Sequence, residues 1–413
     1  MILHYLKIAF RNLTKYKTQT IISVIGLAVG FVCFALSTLW IRYERSFDRF
    51  HPNAEHLYIT YSTGGVFGRG MGLTAPYAYE AYVRATFPEV RNATTMFTGE
   101  PQYLEFEHTF APFRKLRIRE NFFDMFDIRI LQGQLPFYSH TNIAISARRA
   151  QQLFGNENPI GKTAMLHNTE FTITAVVSDW AGPSNFSFDF LYPMQSWPPE
   201  RAWMMWIGNV VFELYPTVDE EAFLERFRNH VVRPEQYAGN FNLTFEAIPL
   251  TSLRTNDELI TDKNVRHQFI VWFSLIGLLV IACALFNYFT LFFSRFRIRK
   301  REFALRMVYG ANTKSLFALL AVEFVLVLVI AASLGLLLVS YFQHIFWDLS
   351  GVDLPLSAIL VEMSVYFASV ILFALLLFTL LLFIFRKTSL NAAIRRRKNA
   401  NSRRISVVGD VLN

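Results

Sequence analysis

Four long apolar runs divide this chain: Thr20–Ile41, Phe269–Ser294, Leu316–Phe342 and Ile359–Phe385. A helix needs about 20 predominantly apolar residues to cross the hydrocarbon of a bilayer, so the pattern predicts four membrane spans. Between the first and second runs the pattern changes. Residues 57–62, 103–108, 115–120, 171–179, 210–216 and 241–248 alternate in the manner of strands, with β-branched and aromatic side chains. Helical spacing appears at 76–87, 146–154 and 218–231, the last opening on Thr217 and Glu220 as a capping box. Residues 43–266 therefore read as a large α+β domain inserted between the first and second of four transmembrane helices. Ahead of the first run, residues 1–19 place Leu3, Leu6, Phe10 and Leu13 at helical spacing, with Lys7, Arg11 and Lys15 on another face. That is an amphipathic helix suited to lie along a membrane surface.

Composition agrees with the membrane reading: 53% of residues are hydrophobic and 17% charged, where soluble chains carry about 25% charged residues. The net charge of +8 raises the question of nucleic acid, and its distribution answers it. From Tyr43 to Arg266 there are 20 Lys and Arg against 26 Asp and Glu, a net of −6, so the remainder carries +14. That excess flanks the apolar runs. Lys7, Arg11, Lys15 and Lys17 precede the first. Arg295, Arg297, Arg299, Lys300, Arg301, Arg306 and Lys314 separate the second from the third, and a basic tail, 386–413, follows the fourth. Residues 343–360, between the third and fourth, hold no Lys or Arg. Positive flanks stay in the cytoplasm, so both termini and the 295–315 loop are expected there, with 43–266 on the opposite side. The partner implied is a lipid bilayer, with no nucleic acid. The first run is too long for a signal-peptide core and no A-x-A site follows, so it is expected to remain as an anchor.

Few patterns carry chemistry. Cys33 and Cys283 both lie in apolar runs, and there is no CxxC, HxxxH, HExxH or GxSxG. No metal ligand set or catalytic residue is assigned. The run from Gly155 to Thr163 looks like a phosphate loop, but five residues separate Gly155 from Gly161, where the motif needs four. It also follows a helix and precedes a strand, the reverse of the required order, so a turn is expected. Within the spans, Glu323 is an intramembrane carboxylate, either functional or a helix-pairing group, and Asn287 can supply an interhelical hydrogen bond. Gly26 and Gly30 form a GxxxG that permits close helix packing.

The segment Arg295–Ala311 stands out. From Arg299 it has helical character, with Glu302 and Arg306 spaced as an i,i+4 pair. Phe303, Ala304, Met307, Val308 and Ala311 can share a face, and Gly310 is a helix stop. Such a basic helix between spans either lies on the lipid surface, serves as a handle for another protein, or is a positive-inside loop and nothing more.

These stretches converge on a family. The opening YLKIAFRNLTKYKTQTIISVIGLAVG and SFDRFHPNAEHLY, and then ENFFDMFDIRILQG, NIAISARRAQQLFGNENPIGKT, FTITAVVSD and FSFDFLYPM, resemble permease subunits of ABC transporters of the MacB/FtsX type, in the form common in Bacteroidetes. The middle stretches look like the MacB-like periplasmic core domain. CALFNYFTLFFSRFRIRKREFALRMVYGAN is similar to the end of the family's second span and its coupling segment, with Arg301, Glu302, Arg306, Gly310 and Ala311 on the marked positions. Glu323 matches a glutamate usual in the third span. Phe303 and Tyr309 depart from the pattern, and LNAAIR at 390–395 lacks the family's Pro and Glu. Many relatives carry two four-span units, and this chain has one.

The resemblance implies a permease in the bacterial inner membrane that is not itself an enzyme. A separate cytoplasmic ABC ATPase, holding ATP and Mg, would grip the 295–311 segment and drive movements of the periplasmic domain. The expected role is efflux of a peptide, antibiotic or lipidic substrate. The alternative is a mechanotransmission or signalling protein of FtsX type acting on a periplasmic partner. A second permease chain, identical or a sister, is implied, and a periplasmic adaptor is a further candidate partner.

Overall fold

The computed structural model describes residues 2–63, 72–99, 102–106, 109–135, 139–166, 169–234, 242–256, 259, 267–309, 313–352, 354–381 and 383. In chain order the helices are α1 (Ile2–Lys15), α2 (Lys17–Arg45), α3 (Tyr79–Thr86), α4 (Phe122–Met125), α5 (Ala147–Phe154), α6 (Pro199–Ala202), α7 (Glu220–Asn229), α8 (His267–Ile298), α9 (Lys300–Val308) and α10 (Thr313–Ser350), followed by α11 (Leu356–Leu381). The strands are β1 (Leu57–Ser62), β2 (Ala75–Pro76), β3 (Val90–Thr98), β4 (Gln102–Phe106), β5 (Thr109–Phe113), β6 (Lys115–Ile118) and β7 (Ile130–Gly133). They continue as β8 (Asn142–Ser146), β9 (Thr163–Leu166), β10 (Thr169–Val177), β11 (Phe190–Pro193), β12 (Trp206–Leu214), β13 (Val231–Val232) and β14 (Leu243–Pro249). The chain divides into two compact units: Met1–Ile41 with Val271–Asn413, and Arg42–Ile270.

In the first unit, α2, α8, α10 and α11 are each long and apolar enough to cross a membrane. Small residues let α2 and α8 approach closely. A Cβ on Gly30 would stand 2.7 Å from that of Ala284, and one on Gly277 would stand 3.0 Å from that of Ser37. The two contacts lie two turns apart on each antiparallel helix, so they form one seam. Gly26 is not part of its tight contact: a Cβ there meets only the Asn287 amide, at 4.0 Å. Phenylalanines fill the centre of the unit. Phe324 of α10 stacks on Phe378 of α11 at 4.4 Å, and Phe31 of α2 lies 5.0 Å from Phe367 of α11.

The second unit is built on one sheet of order β13-β14-β1-β12-β3-β6-β11-β8-β10-β9-β4-β5, with β2 beside β12 and β7 beside β10. Most neighbours are antiparallel. The parallel pair β8–β10 is joined through α5, and β6–β11 is the other parallel pair. All six residues of β1 are buried. Leu57, Ile59 and Tyr61 pack into one core, while Tyr58 packs with Phe212, Phe223 and Phe245 on the opposite face. A sheet covered on both faces explains why β1 reads as nearly continuous apolar sequence.

Several local boundaries differ from the expectation. The start of α7 is set by Asp219, whose carboxylate accepts from the Ala222 N–H at 3.2 Å, and not by a Thr217–Glu220 box. A turn in which Val218 N–H donates to Tyr215 C=O holds the chain out of helix until Asp219. At 76–87 the helix begins only at Tyr79, because Ala75 and Pro76 pair with β12. Of the 103–108 run, Tyr103–Phe106 lie in β4, which pairs antiparallel with β5; 107 and 108 lie outside the described residues. The phosphate-loop look-alike is a helix stop and a turn. Gly155, at φ 57°, caps α5 with its N–H on Gln151 C=O, and Gly161 is at φ 85°. Lys162 is engaged by Glu157 at 2.5 Å and lies over the Phe154 ring.

Candidate functional site

The basic residues between the second and third spans do not begin as a loop. Arg295–Ile298 complete α8, Arg299 N–H donates to Arg295 C=O at 3.1 Å, and Phe303 N–H donates to Arg299 C=O at 3.1 Å. The helical bonding thus runs almost unbroken from α8 into α9. Phe303, 6% exposed, stacks on Phe296 at 5.5 Å and pins α9 to the end of α8.

At this joint sits a buried ion cluster. The Arg299 guanidinium lies at the junction and reaches in two directions. Its Nη1 donates to Glu323 Oε2 of α10 at 2.9 Å, and its Nε donates to Glu302 Oε2 of α9 at 3.2 Å. Asn12 of α1 donates to the same Glu323 oxygen at 3.3 Å. Arg299, Glu323 and Asn12 are all buried. Nearby, Arg295 donates from Nε to Gln19 Oε1 at 2.8 Å and from Nη1 to Thr20 Oγ1 at 3.4 Å, joining α8 to the start of α2. The Nη2 atoms of both arginines are buried without a hydrogen-bond partner. Below the cluster, Tyr288 of α8 donates to Phe324 C=O at 3.0 Å and stacks on the Phe324 ring at 4.9 Å. Five helices, α1, α2, α8, α9 and α10, therefore meet through two carboxylates and two guanidiniums. A carboxylate this fully buried is stable as an ion only while paired, so separating Arg299 from Glu323 has a large electrostatic cost.

Two family models match the chain: the MacB-like periplasmic core domain over residues 20–230, and the FtsX-like permease C-terminal region over residues 274–397. The chain belongs to the MacB/FtsX family of ABC transporter permeases. Members of this family associate with a cytoplasmic ABC ATPase. No curated protein matches the permease. Among solved structures it is similar to a domain of a permease protein from Porphyromonas gingivalis, with 18% identity over 56% of this chain and 99% of that one, at a TM-score of 0.41. It is also similar to the periplasmic region of MacB from Actinobacillus actinomycetemcomitans, with 16% identity over 48% and 91%, at a TM-score of 0.35. A third likeness is the extracellular domain of the ABC-type transporter YknZ from Gram-positive bacteria, with 11% identity over 39% and 84%, at 0.31.

In this permease, Glu302 and Glu323 come together through Arg299, a residue not among the expected coupling residues. The signal for it was present: a basic residue four positions after Arg295 and three before Glu302. Arg301 is exposed on α9, while the Arg306 side chain, Gly310 and Ala311 lie outside the described residues. The expected apolar face of α9 splits. Phe303 is buried against α8, but Val308 is 82% exposed, beside Tyr309 at 87% and Leu305 at 59%. Asn287 is exposed on α8 and forms no interhelical hydrogen bond among the described residues. Also among the described residues, no group of three or more His, Cys, Asp or Glu is arranged to hold a metal ion.

The inserted domain has its own buried polar cluster, unmarked in the sequence except through SFDRFH. Asp48, fully buried and at φ 56°, accepts from Ser184 Oγ at 2.5 Å and from Asn185 Nδ2 at 2.7 Å and N–H at 3.2 Å. His51, 3.9 Å from Asp48, sits in a box of Phe50, Phe126 and Trp180. Burial raises the Asp48 carboxyl to about 6 and lowers the His51 imidazole to about 4. Close by in sequence, Glu44 of the last turn of α2 accepts from Arg254 Nε at 2.7 Å, and Arg254 lies 4.4 Å over the Phe47 ring. These contacts fasten the first residues of the domain to the turn Leu250–Thr255.

Proposed function

We propose that this permease converts ATP-driven movement of a partner ATPase into movement of its inserted domain, with α9 as the gripped element. The observation that carries this reading is the Arg299 bridge from Glu302 of α9 to Glu323 of α10, with Asn12 of α1 on the same carboxylate. A pull on α9 is felt at once by α1 and α10. The exposed Leu305, Val308 and Tyr309 beside Arg301 offer the partner an apolar and basic surface. Arg301, Glu302, Arg306, Gly310 and Ala311 are the coupling residues in this proposal. ATP and Mg belong to the ATPase. The basic flanks support a bacterial inner-membrane protein with both termini and α9 in the cytoplasm and the inserted domain in the periplasm. Four spans are half of a permease pair, so a second copy or sister chain completes it.

The cargo reading is efflux of a peptide, antibiotic or lipidic compound, with a periplasmic adaptor as a further partner. A mechanotransmission role without cargo is favoured by one observation. Between Glu323 and the far end of α10, the core contains stacked phenylalanines and no buried charge among the described residues.

Co-purification with a candidate ABC ATPase tests the coupling. Glu302→Ala and Tyr309→Ser are expected to weaken ATPase recruitment or stimulation while the permease stays folded. Full recruitment and stimulation in both variants would refute the assignment of α9. A deletion strain that accumulates a compound exported by the parent supports efflux; a normal export profile with a cell-envelope phenotype supports mechanotransmission.

A further inference from the structure

The end of the membrane unit far from α9 holds a crevice that the coupling mechanism does not use. Its volume is about 320 Å³, at the small end of the roughly 300–1,000 Å³ of ligand sites. It lies between α2, which supplies Val29 and Val32, and α10, which supplies Val339 and Phe346, with Ile359 of α11 behind. The back wall is buried, Val339 at 3% and Ile359 at 1%, whereas the rim is open, with Val29 at 47% and Leu349 at 83% exposed. The crevice therefore opens sideways from the bundle, toward the bilayer. Hydrocarbon fills such a space, since water in an apolar pocket gains too few hydrogen bonds to stay.

One polar atom breaks the apolar lining. Gln343 faces the crevice, and its Oε1 is buried without a hydrogen-bond partner. An unmet acceptor in an apolar setting is costly, so the site is complete only with a donor supplied from outside. Its depth narrows the choice. Gln343 lies 20 residues beyond Glu323 on α10, about 30 Å along the helix, which is the thickness of the hydrocarbon core. If Glu323 marks one border, Gln343 stands at the other, level with the linkage between a lipid's chain and its headgroup. Ester linkages have no donor there. An amide in place of the ester supplies that N–H donor.

We propose that this crevice binds the acyl chain of an amphiphile joined through an amide, with the amide N–H donating to Gln343 Oε1. The site is distinct from the coupling cluster and requires neither ATP nor the inserted domain.

The test uses the full chain in phosphatidylcholine vesicles, a lipid without donors. Two photoreactive probes share one diazirine fatty-acyl chain, one as its N-methyl amide and the other as its methyl ester. Both are expected to label the α2 and α10 residues that line the crevice, the amide about fivefold more than the ester, as one net hydrogen bond implies. Gln343→Leu is expected to reduce amide labelling to the ester level while ester labelling persists, which also reports that the variant is folded. Val29→Trp, a change at the exposed rim, is expected to suppress both. Equal labelling of the wild type by the two probes overturns the proposal, as does labelling that Val29→Trp leaves unchanged. Absence of labelling together with crosslinking of Cys33 to a second copy also overturns it, because the crevice is then a subunit interface.

Discussion

Two of the permease's buried carboxylate–guanidinium clusters, one in each unit, are built to different standards. In the inserted domain, Glu80 of α3 accepts from Thr95 Oγ1 at 2.7 Å, Arg119 Nη1 at 2.8 Å and Asn121 Nδ2 at 2.6 Å. Asn121 also accepts from Thr94 Oγ1, and Arg119 lies 4.2 Å over the Tyr77 ring. No side-chain atom of Glu80, Arg119 or Asn121 is buried without a partner. In the membrane unit, Glu323 has two donors, but Arg295 and Arg299 each keep a buried Nη2 without an acceptor. A satisfied network holds one arrangement, whereas a network with spare donors is open to a second. The first cluster fits a fixed joint between α3, β3 and β6, and the second a joint open to more than one arrangement.

The sharpest way to break this comparison is at Arg299. Arg299→Ala leaves Glu323 buried without a cation and is expected to cost about 3–5 kcal/mol, seen as loss of folded protein in detergent unfolding curves. The paired change Arg299→Met with Glu323→Leu removes both charges and should recover most of that stability while ATPase stimulation stays lost. Recovery of stimulation in the pair would show that the cluster is only structural.

A smaller loss is expected in the domain. Glu80→Ala strands Arg119, Thr95 and Asn121, which costs about 3 kcal/mol. Here an apolar pair, Glu80→Leu with Arg119→Met, should not restore stability, because the Thr95 and Asn121 side chains remain unmet. Urea unfolding of the full chain checks both variants, and equal rescue in the two units would remove the distinction between them.

The Asp48–His51 pair provides a test through pH. A carboxyl raised to about 6 stabilises the fold fully below its unfolded value of 3.8, and this contribution is lost as pH rises through 6. An imidazole lowered to about 4 stabilises the fold fully above 6.5, and this contribution is lost as pH falls through 4. Between pH 4 and 6 the two therefore oppose each other. His51→Phe leaves Asp48 alone, so stability relative to wild type should rise by about 2–3 kcal/mol as pH falls from 6 to 4. Trp180, whose ring is 5.1 Å from His51, supplies the fluorescence signal. An unchanged pH profile would show that the two groups do not offset each other.

The smallest effects concern the α2–α8 seam. Gly30→Val should cost about 1–3 kcal/mol through its collision with Ala284. Gly26→Ala should stay within about 0.5 kcal/mol, since its Cβ meets only Asn287 at 4.0 Å. Thermal unfolding that ranks the two glycines equally would contradict the seam.

Much of the architecture is legible in the chain because bilayer and sheet each impose a simple period. Runs such as Leu316–Phe342 have no stable form in water other than burial, and strands such as Leu57–Ser62 announce themselves by β-branched and aromatic content. Shorter strands were not legible. Ile143–Ile145 of β8 merge into the helix that follows, and the boundary depends on Ser146, whose hydroxyl accepts from the Arg149 N–H. At the candidate site, Glu302 and Glu323 were visible as residues, but the guanidinium they share was not.

The sequence by itself determined that four helices span a membrane, that an α+β domain is inserted after the first, and where the basic flanks lie, because hydrophobic length and charge bias act on local stretches of chain. Only the tertiary structure decided that Arg299 joins Glu302 to Glu323, that Gly30 and not Gly26 makes the tight contact, and that Gln343 faces an apolar crevice. Each of these depends on which side chains meet across helices far apart in sequence, and no local period encodes that.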